Sequence, residues 1–175
     1  PGSVLEGQIW KDKALDYKKL GRVDEAIAAF AQVERESAVW TKVQAEAGEM
    51  LLAAGRLDEF ETQFDINGAI ESSADDGETR AELHYIQARI ARELGDPQAE
   101  IEHMSEALAH GENEQIRAYA FFFRGLAYYR QGGAADAQGD SLAGRRFFES
   151  ALEDLDQLLT SSPAAQLRGV AYRTR

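Results

Sequence analysis

Gly21-Arg22-Val23-Asp24-Glu25-Ala26 and Gly55-Arg56-Leu57-Asp58-Glu59-Phe60 stand thirty-four positions apart and say nearly the same thing. Phe30 follows the first and Phe64 the second at the same offset. A glycine, two variable residues and two acids read as a turn that feeds a helix. Glycine accepts the left-handed conformation that ends one helix, and acidic residues suit the positive end of the next. Self-similarity at this period is the mark of stacked helical hairpins.

Working outward, Trp10, Ala14 and Tyr17 recur three or four apart and share one helix face before Leu20-Gly21. Ala26, Phe30 and Val33 form the apolar face of the helix that follows. Gly48, Leu51, Gly55 and Phe64 repeat the arrangement, with Gln44 where a large aromatic is expected and Phe60 where a small residue is. That hairpin is expected to pack more openly. The polar segment from Asn67-Gly68 to Asp75-Asp76-Gly77-Glu78 reads as a loop.

A third hairpin runs through Ala81, Ala88, Ala91, Leu94-Gly95-Asp96, Met104, Ala107 and Leu108. Glu100 replaces its small residue, and Pro97 suits a first helical turn. A fourth carries Phe121, Gly125, Tyr128 and Gly132, then Ala151, Leu155, Leu158 and Pro163. The predicted turns are at Gly21, Gly55, Gly95 and near Gly132. Between Gly132 and Ala151 the spacing is longer than in the other hairpins. Positions 133–139 read as a mobile, dispensable loop, and a helix begun early follows.

These residues resemble the tetratricopeptide repeat family, whose hairpins carry W-x2-L-G-x2-Y, then A-x3-F, then P. The resemblance assigns Trp10, Ala14, Tyr17, Gly21, Ala26 and Phe30 to packing positions. It implies an all-α, right-handed α-solenoid of antiparallel helix pairs. One domain would span 1–175, with repeats at roughly 7–40, 41–78, 81–111 and 118–162 and a terminal helix over 164–173.

The resemblance also implies a binding groove lined by the first helix of each repeat. Carried onto this sequence, it gives Lys11, Leu15 and Lys18; Ala45, Glu49 and Leu52; Tyr85, Arg89 and Arg92; and Phe122, Leu126 and Tyr129. Phe122 and Tyr129 either line that groove or lie under the terminal helix. Some family members clamp a C-terminal carboxylate in the groove. Here only Lys11 and Arg89 match that pattern, while Leu15, Glu49 and Tyr85 depart from it.

The implied role is a protein–protein interaction scaffold that takes a peptide segment or partner helix. The alternatives are a sensor of a peptide signal and a self-assembling subunit of a larger complex. The expected partner combines apolar and acidic residues, drawn to Arg89 and Arg92.

The chain has 19 basic against 31 acidic residues, a net charge of −12, which argues against nucleic acid and anionic membranes as partners. Without cysteine it has neither disulfides nor thiolate metal sites. No apolar run reaches the roughly 18 residues that a membrane helix needs. Pro1-Gly2-Ser3 reads as the remnant of a cleaved tag, so a native segment is expected to have preceded it. The compartment stays open, with the cytoplasm expected.

Nothing in the sequence performs chemistry. Nucleophile elbows, Walker loops and zinc-protease motifs do not occur. Glu100 and His103 have the spacing of a metal half-site, yet His84 and His110 do not complete it, so these histidines read as surface or groove residues. The expectation is no enzyme, no cofactor and no metal.

Overall fold

The computed structural model of the protein describes residues 4–161, the side chains at positions 4, 58, 60, 61 and 161 excepted. The expected terminal helix at 164–173 and the side chain of Phe60 lie outside the described residues. Within them the chain is all-helical. In order come α1 (Val4–Lys19), α2 (Val23–Phe30), α3 (Trp40–Ala54), a 3-10 turn (Leu57–Glu59), α4 (Phe60–Gln63) and α5 (Ile66–Ser72). Then follow α6 (Gly77–Glu93), α7 (Pro97–His110), α8 (Glu114–Ala137) and α9 (Ser141–Ser161). Helices α1 and α2, α6 and α7, and α8 and α9 pack as pairs, and α3 touches α6 as α6 touches α8. The result is a solenoid of antiparallel hairpins.

One backbone device closes four of its turns. Gly21, Gly55, Gly95 and Gly139 have φ of 71°, 68°, 74° and 85°. In each, the glycine N–H and the one after it reach back to carbonyls three and five residues earlier. Gly21 N donates to Lys18 O (3.1 Å) and Arg22 N to Tyr17 O (2.9 Å), while Gly139 N donates to Asp136 O (3.0 Å) and Asp140 N to Ala135 O (2.9 Å). This Schellman closure satisfies carbonyls that a helix end leaves orphaned, and it requires a left-handed residue.

The fourth turn therefore lies at Gly139 and not near Gly132. Positions 133–137 are the last turns of α8, and the expected mobile loop is absent. The extra residues lengthen both helices of the hairpin, whose faces stay in contact. A Cβ on Gly132 would stand 2.6 Å from the Phe148 ring, and one on Gly144 would stand 2.4 Å from Asp136 Oδ1. So Gly132 admits the partner helix closely and does not break its own. Asp140 then caps α9, its Oδ1 accepting from Ala143 N at 3.0 Å. Asp96 does the same for α7.

The second hairpin departs from the expected loop in another way. Residues from Ile66 to Ser72 form α5, and α6 begins at Gly77, so only 73–76 connect them. Gln44 is buried, and its Oε1 accepts from Asp65 N at 2.8 Å. Asp65 in turn caps α5 through Gly68 N at 2.8 Å. An aromatic at position 44 could not accept from that N–H. The hairpin is held by a polar link there, where open packing was expected.

The main core joins Ala14, Ala26, Phe30, Val43, Leu51, Leu83 and Ile86, with Trp10 and Tyr17 packed against it. A smaller cluster unites Ala88, Met104 and Ala120 with Tyr85, Leu108 and Phe123. Ala26 is fully buried, so Ala26→Leu should overpack the first hairpin. A loss of about 1–3 kcal/mol is expected, read as a lower urea midpoint. An unchanged midpoint would mean that the α1–α2 crossing tolerates three more carbons.

Candidate functional site

Helices α6 and α8 form the walls of a concavity of about 450 Å³, lined among others by Tyr85, Arg89, Arg92, Tyr119 and Phe123. Their aromatic rings form a ladder. Tyr85 and Tyr119 stack at 6.2 Å, Tyr119 and Phe123 lie 6.3 Å apart, and Phe122 meets Phe123 edge-on at 5.1 Å. The Arg89 guanidinium sits 5.5 Å over Tyr85, and that of Arg92 lies 4.1 Å over Phe123. Cations placed over ring faces are attracted by the ring quadrupole.

The charges of this face are largely matched already. Arg89 Nη1 donates to both oxygens of Glu49, at 2.6 and 2.7 Å. Lys18 Nζ reaches Glu46 Oε2 at 2.6 Å. Glu82, also at the concavity, is pushed above the usual carboxylate range by burial, and Glu46 and Glu49 add to that. Tyr85 is likewise raised by burial.

The expected groove residues thus divide. Tyr85, Arg89, Arg92 and Glu49 come together in one concavity. Phe122 joins it through Phe123. Leu126 and Tyr129 do not line it; Tyr129 lies 5.5 Å from Phe148 of α9 and is 63% exposed. Lys18 is committed to Glu46, and Lys11 lies on α1, outside this concavity. Ala45 is buried, and Leu15 and Leu52 pack against the main core. Tyr119 and Phe123 escaped the sequence reading. The family register picks the α8 face one residue past the packing positions, whereas a groove between α6 and α8 takes the α8 face that looks back at α6. The signal was the run of aromatics from Tyr119 to Phe123, whose alternate members point different ways on a helix.

Of the histidines, His84 is not a surface or groove residue, while His103 and His110 are partly exposed. His84, 7% exposed, sits in the α6–α7 interface with its Nδ1 3.2 Å from His103 Nδ1. It stacks on His110 at 6.2 Å between ring centres. Glu100 turns away from His103 toward Arg130 of α8. Among the described residues no group of three or more acidic, histidine or cysteine side chains could hold a metal ion. None of the described helices is long and apolar enough to cross a membrane.

Stacked hairpins with an aromatic inner face define a helical-repeat protein. Residues 11–66 match the tetratricopeptide repeat family. The crystal structure of MamA protein is similar, with a TM-score of 0.51 and 20% identity, over 89% of this chain and 94% of that one. At such identity the likeness establishes the fold. A comparison with curated proteins found no match. Over residues 11–66 the chain thus carries the tetratricopeptide repeat pattern, and repeats of this kind generally serve in contacts between proteins.

Proposed function

We propose that the protein binds a peptide segment or partner helix of another protein in the concavity between α6 and α8. The observation that carries this reading is the ladder from Tyr85 through Tyr119 to Phe123 and Phe122, an aromatic surface left partly open on a first-helix face. Rigid aromatics beside arginines are the side chains that most often dominate binding energy. The partner's apolar residues stack on the ladder. An acidic residue beside them meets the guanidinium of Arg92 where it lines the concavity, while Arg89 stays with Glu49.

Peptides selected by display on the wild-type protein test the reading. They should be enriched in bulky apolar residues next to acidic ones. Tyr119→Ala should weaken them at least tenfold, about 1.4 kcal/mol, and leave the thermal melt nearly unchanged. Tyr129→Ala should leave them unaffected. Rising salt should slow their association, because exposed charges are screened over about 10 Å at 0.1 M. Selected peptides that bind the Tyr119→Ala variant as tightly as wild type would place the site elsewhere.

A further inference from the structure

A separate cleft of about 760 Å³ opens where the turn ends of the third and fourth hairpins meet. It shares only Arg92 with the concavity described above. Ala134, Ala143 and Phe147 give it an apolar wall, and Arg92, Glu100 and Arg130 give it a polar one. Its volume falls in the range of about 300–1,000 Å³ typical of small-molecule sites.

Glu100 is the unusual member. The repeat pattern places a small residue there, yet a carboxylate sits with no exposed surface. A buried carboxylate is costly unless its oxygens are satisfied. Oε2 accepts from Arg130 Nη2, but Oε1 has no partner. Burial pushes Glu100 above the usual carboxylate range, and Arg130 and then Arg92 pull it back. Arg92 is thus close enough to act on Glu100, and its own buried Nη1 is also unpartnered. One wall therefore holds an unused anionic acceptor and an unused cationic donor.

The other acids of the cleft are committed. Asp96 caps α7 through Gln98 N and Ala99 N, and Asp140 caps α9 through Ala143 N. Arg130, its side chain 48% exposed, uses one N–H on Glu100 and keeps the rest of its donors.

We propose that this cleft binds a free α-amino acid with an apolar side chain. Its ammonium donates to Glu100 Oε1, and its carboxylate accepts from Arg92 Nη1 and the spare N–H groups of Arg130. Its side chain rests on Ala134, Ala143 and Phe147. A simple carboxylate would face Glu100, and a simple amine would face two guanidinium groups; only a zwitterion answers both. Glu100 has no exposed surface, so entry requires the half-exposed Arg130 side chain to move outward.

Isothermal titration of the purified protein with L-leucine and L-phenylalanine tests this. Saturable one-to-one binding is expected. Isocaproate lacks the amine and isoamylamine lacks the carboxylate, so each should bind at least tenfold more weakly. Glu100→Gln keeps the shape and removes the charge, and should lose at least tenfold in affinity with its circular dichroism retained. Should that variant fail to fold, Arg130→Met must show the loss instead. Tyr119→Ala should leave amino-acid binding intact, which separates this site from the peptide groove. No heat with either amino acid, equal binding of isocaproate, or full affinity in the variant that folds would each overturn the proposal.

Discussion

Replacing Asp154 with alanine is expected to cost about 3–5 kcal/mol, the usual result of stripping one partner from a buried ion pair. Arg124 of α8 holds Asp154 of α9 through two bonds, Nε to Oδ2 at 2.9 Å and Nη2 to Oδ1 at 2.6 Å. Its remaining Nη1 donates to Ser105 Oγ of α7 at 2.9 Å. One guanidinium thus ties three helices, and the side chains are only 19% and 5% exposed. Gly125 brings α9 close here, since a Cβ on it would stand 3.4 Å from Asp154 Cβ. Without Asp154, a guanidinium stays in low dielectric with no counter-charge. The repeat pattern has leucine at position 124, so an apolar pair is compatible with this site. The double variant Arg124→Leu with Asp154→Leu should recover most of the loss, because replacing a whole buried pair is often near neutral. Urea unfolding of the single and double variants measures both. A single variant within about 1 kcal/mol of wild type, or a double variant as poor as the single, would show that the pair is solvated.

Local signals were the legible ones. Leu20-Gly21, Gly55 and Leu94-Gly95 marked their turns because only glycine sits easily at positive φ. Ala26 and Phe30 marked the first hairpin's interior because the 3.6-residue period leaves them nowhere else to point. Gly132 misled because a glycine in a helix serves two opposite ends: it can stop the helix or let a ring such as Phe148 approach. The closing glycine was readable after all, since Gly139-Asp140 repeats the turn-and-cap pair of Gly95-Asp96. Long-range pairing was not legible. Arg89 looked like a free cation for a ligand until Glu49, forty residues earlier, took it. Glu100 looked like a flaw in the repeat until Arg130 of the next hairpin answered it. Leu126 and Tyr129 fall outside the α6–α8 concavity for a related reason. Which face of α8 meets α6 depends on how hairpins stack, and no single helix encodes that.

Acidification from pH 7 to 5 should loosen the third hairpin through His84. An unfolded histidine titrates near 6.5. In the folded chain His84 is lowered to about 4, first by burial and then by the neighbouring charge of His103. Arg80 and His110 push the same way, and Glu106 opposes them. His103 is lowered as well, again by burial, with Glu102 and Glu106 opposing. Between pH 6.5 and 4 the unfolded chain binds more protons than the folded one, so stability falls as pH falls through that window. It is fully present above 6.5. Each tenfold loss of proton affinity on folding is worth about 1.4 kcal/mol, so His84 alone accounts for up to about 3 kcal/mol at the acid end. The neutral rings fit the geometry: at 3.2 Å between Nδ1 atoms, one must donate and the other accept, and two imidazolium rings would face proton to proton. His84 Nε2 is buried without a partner and has no acceptor for a second proton. Thermal melts between pH 7 and 5 should therefore decline steeply in wild type and less in His84→Leu. If both chains lose the same number of degrees, the acid sensitivity belongs to other groups and the histidine cluster is merely packed.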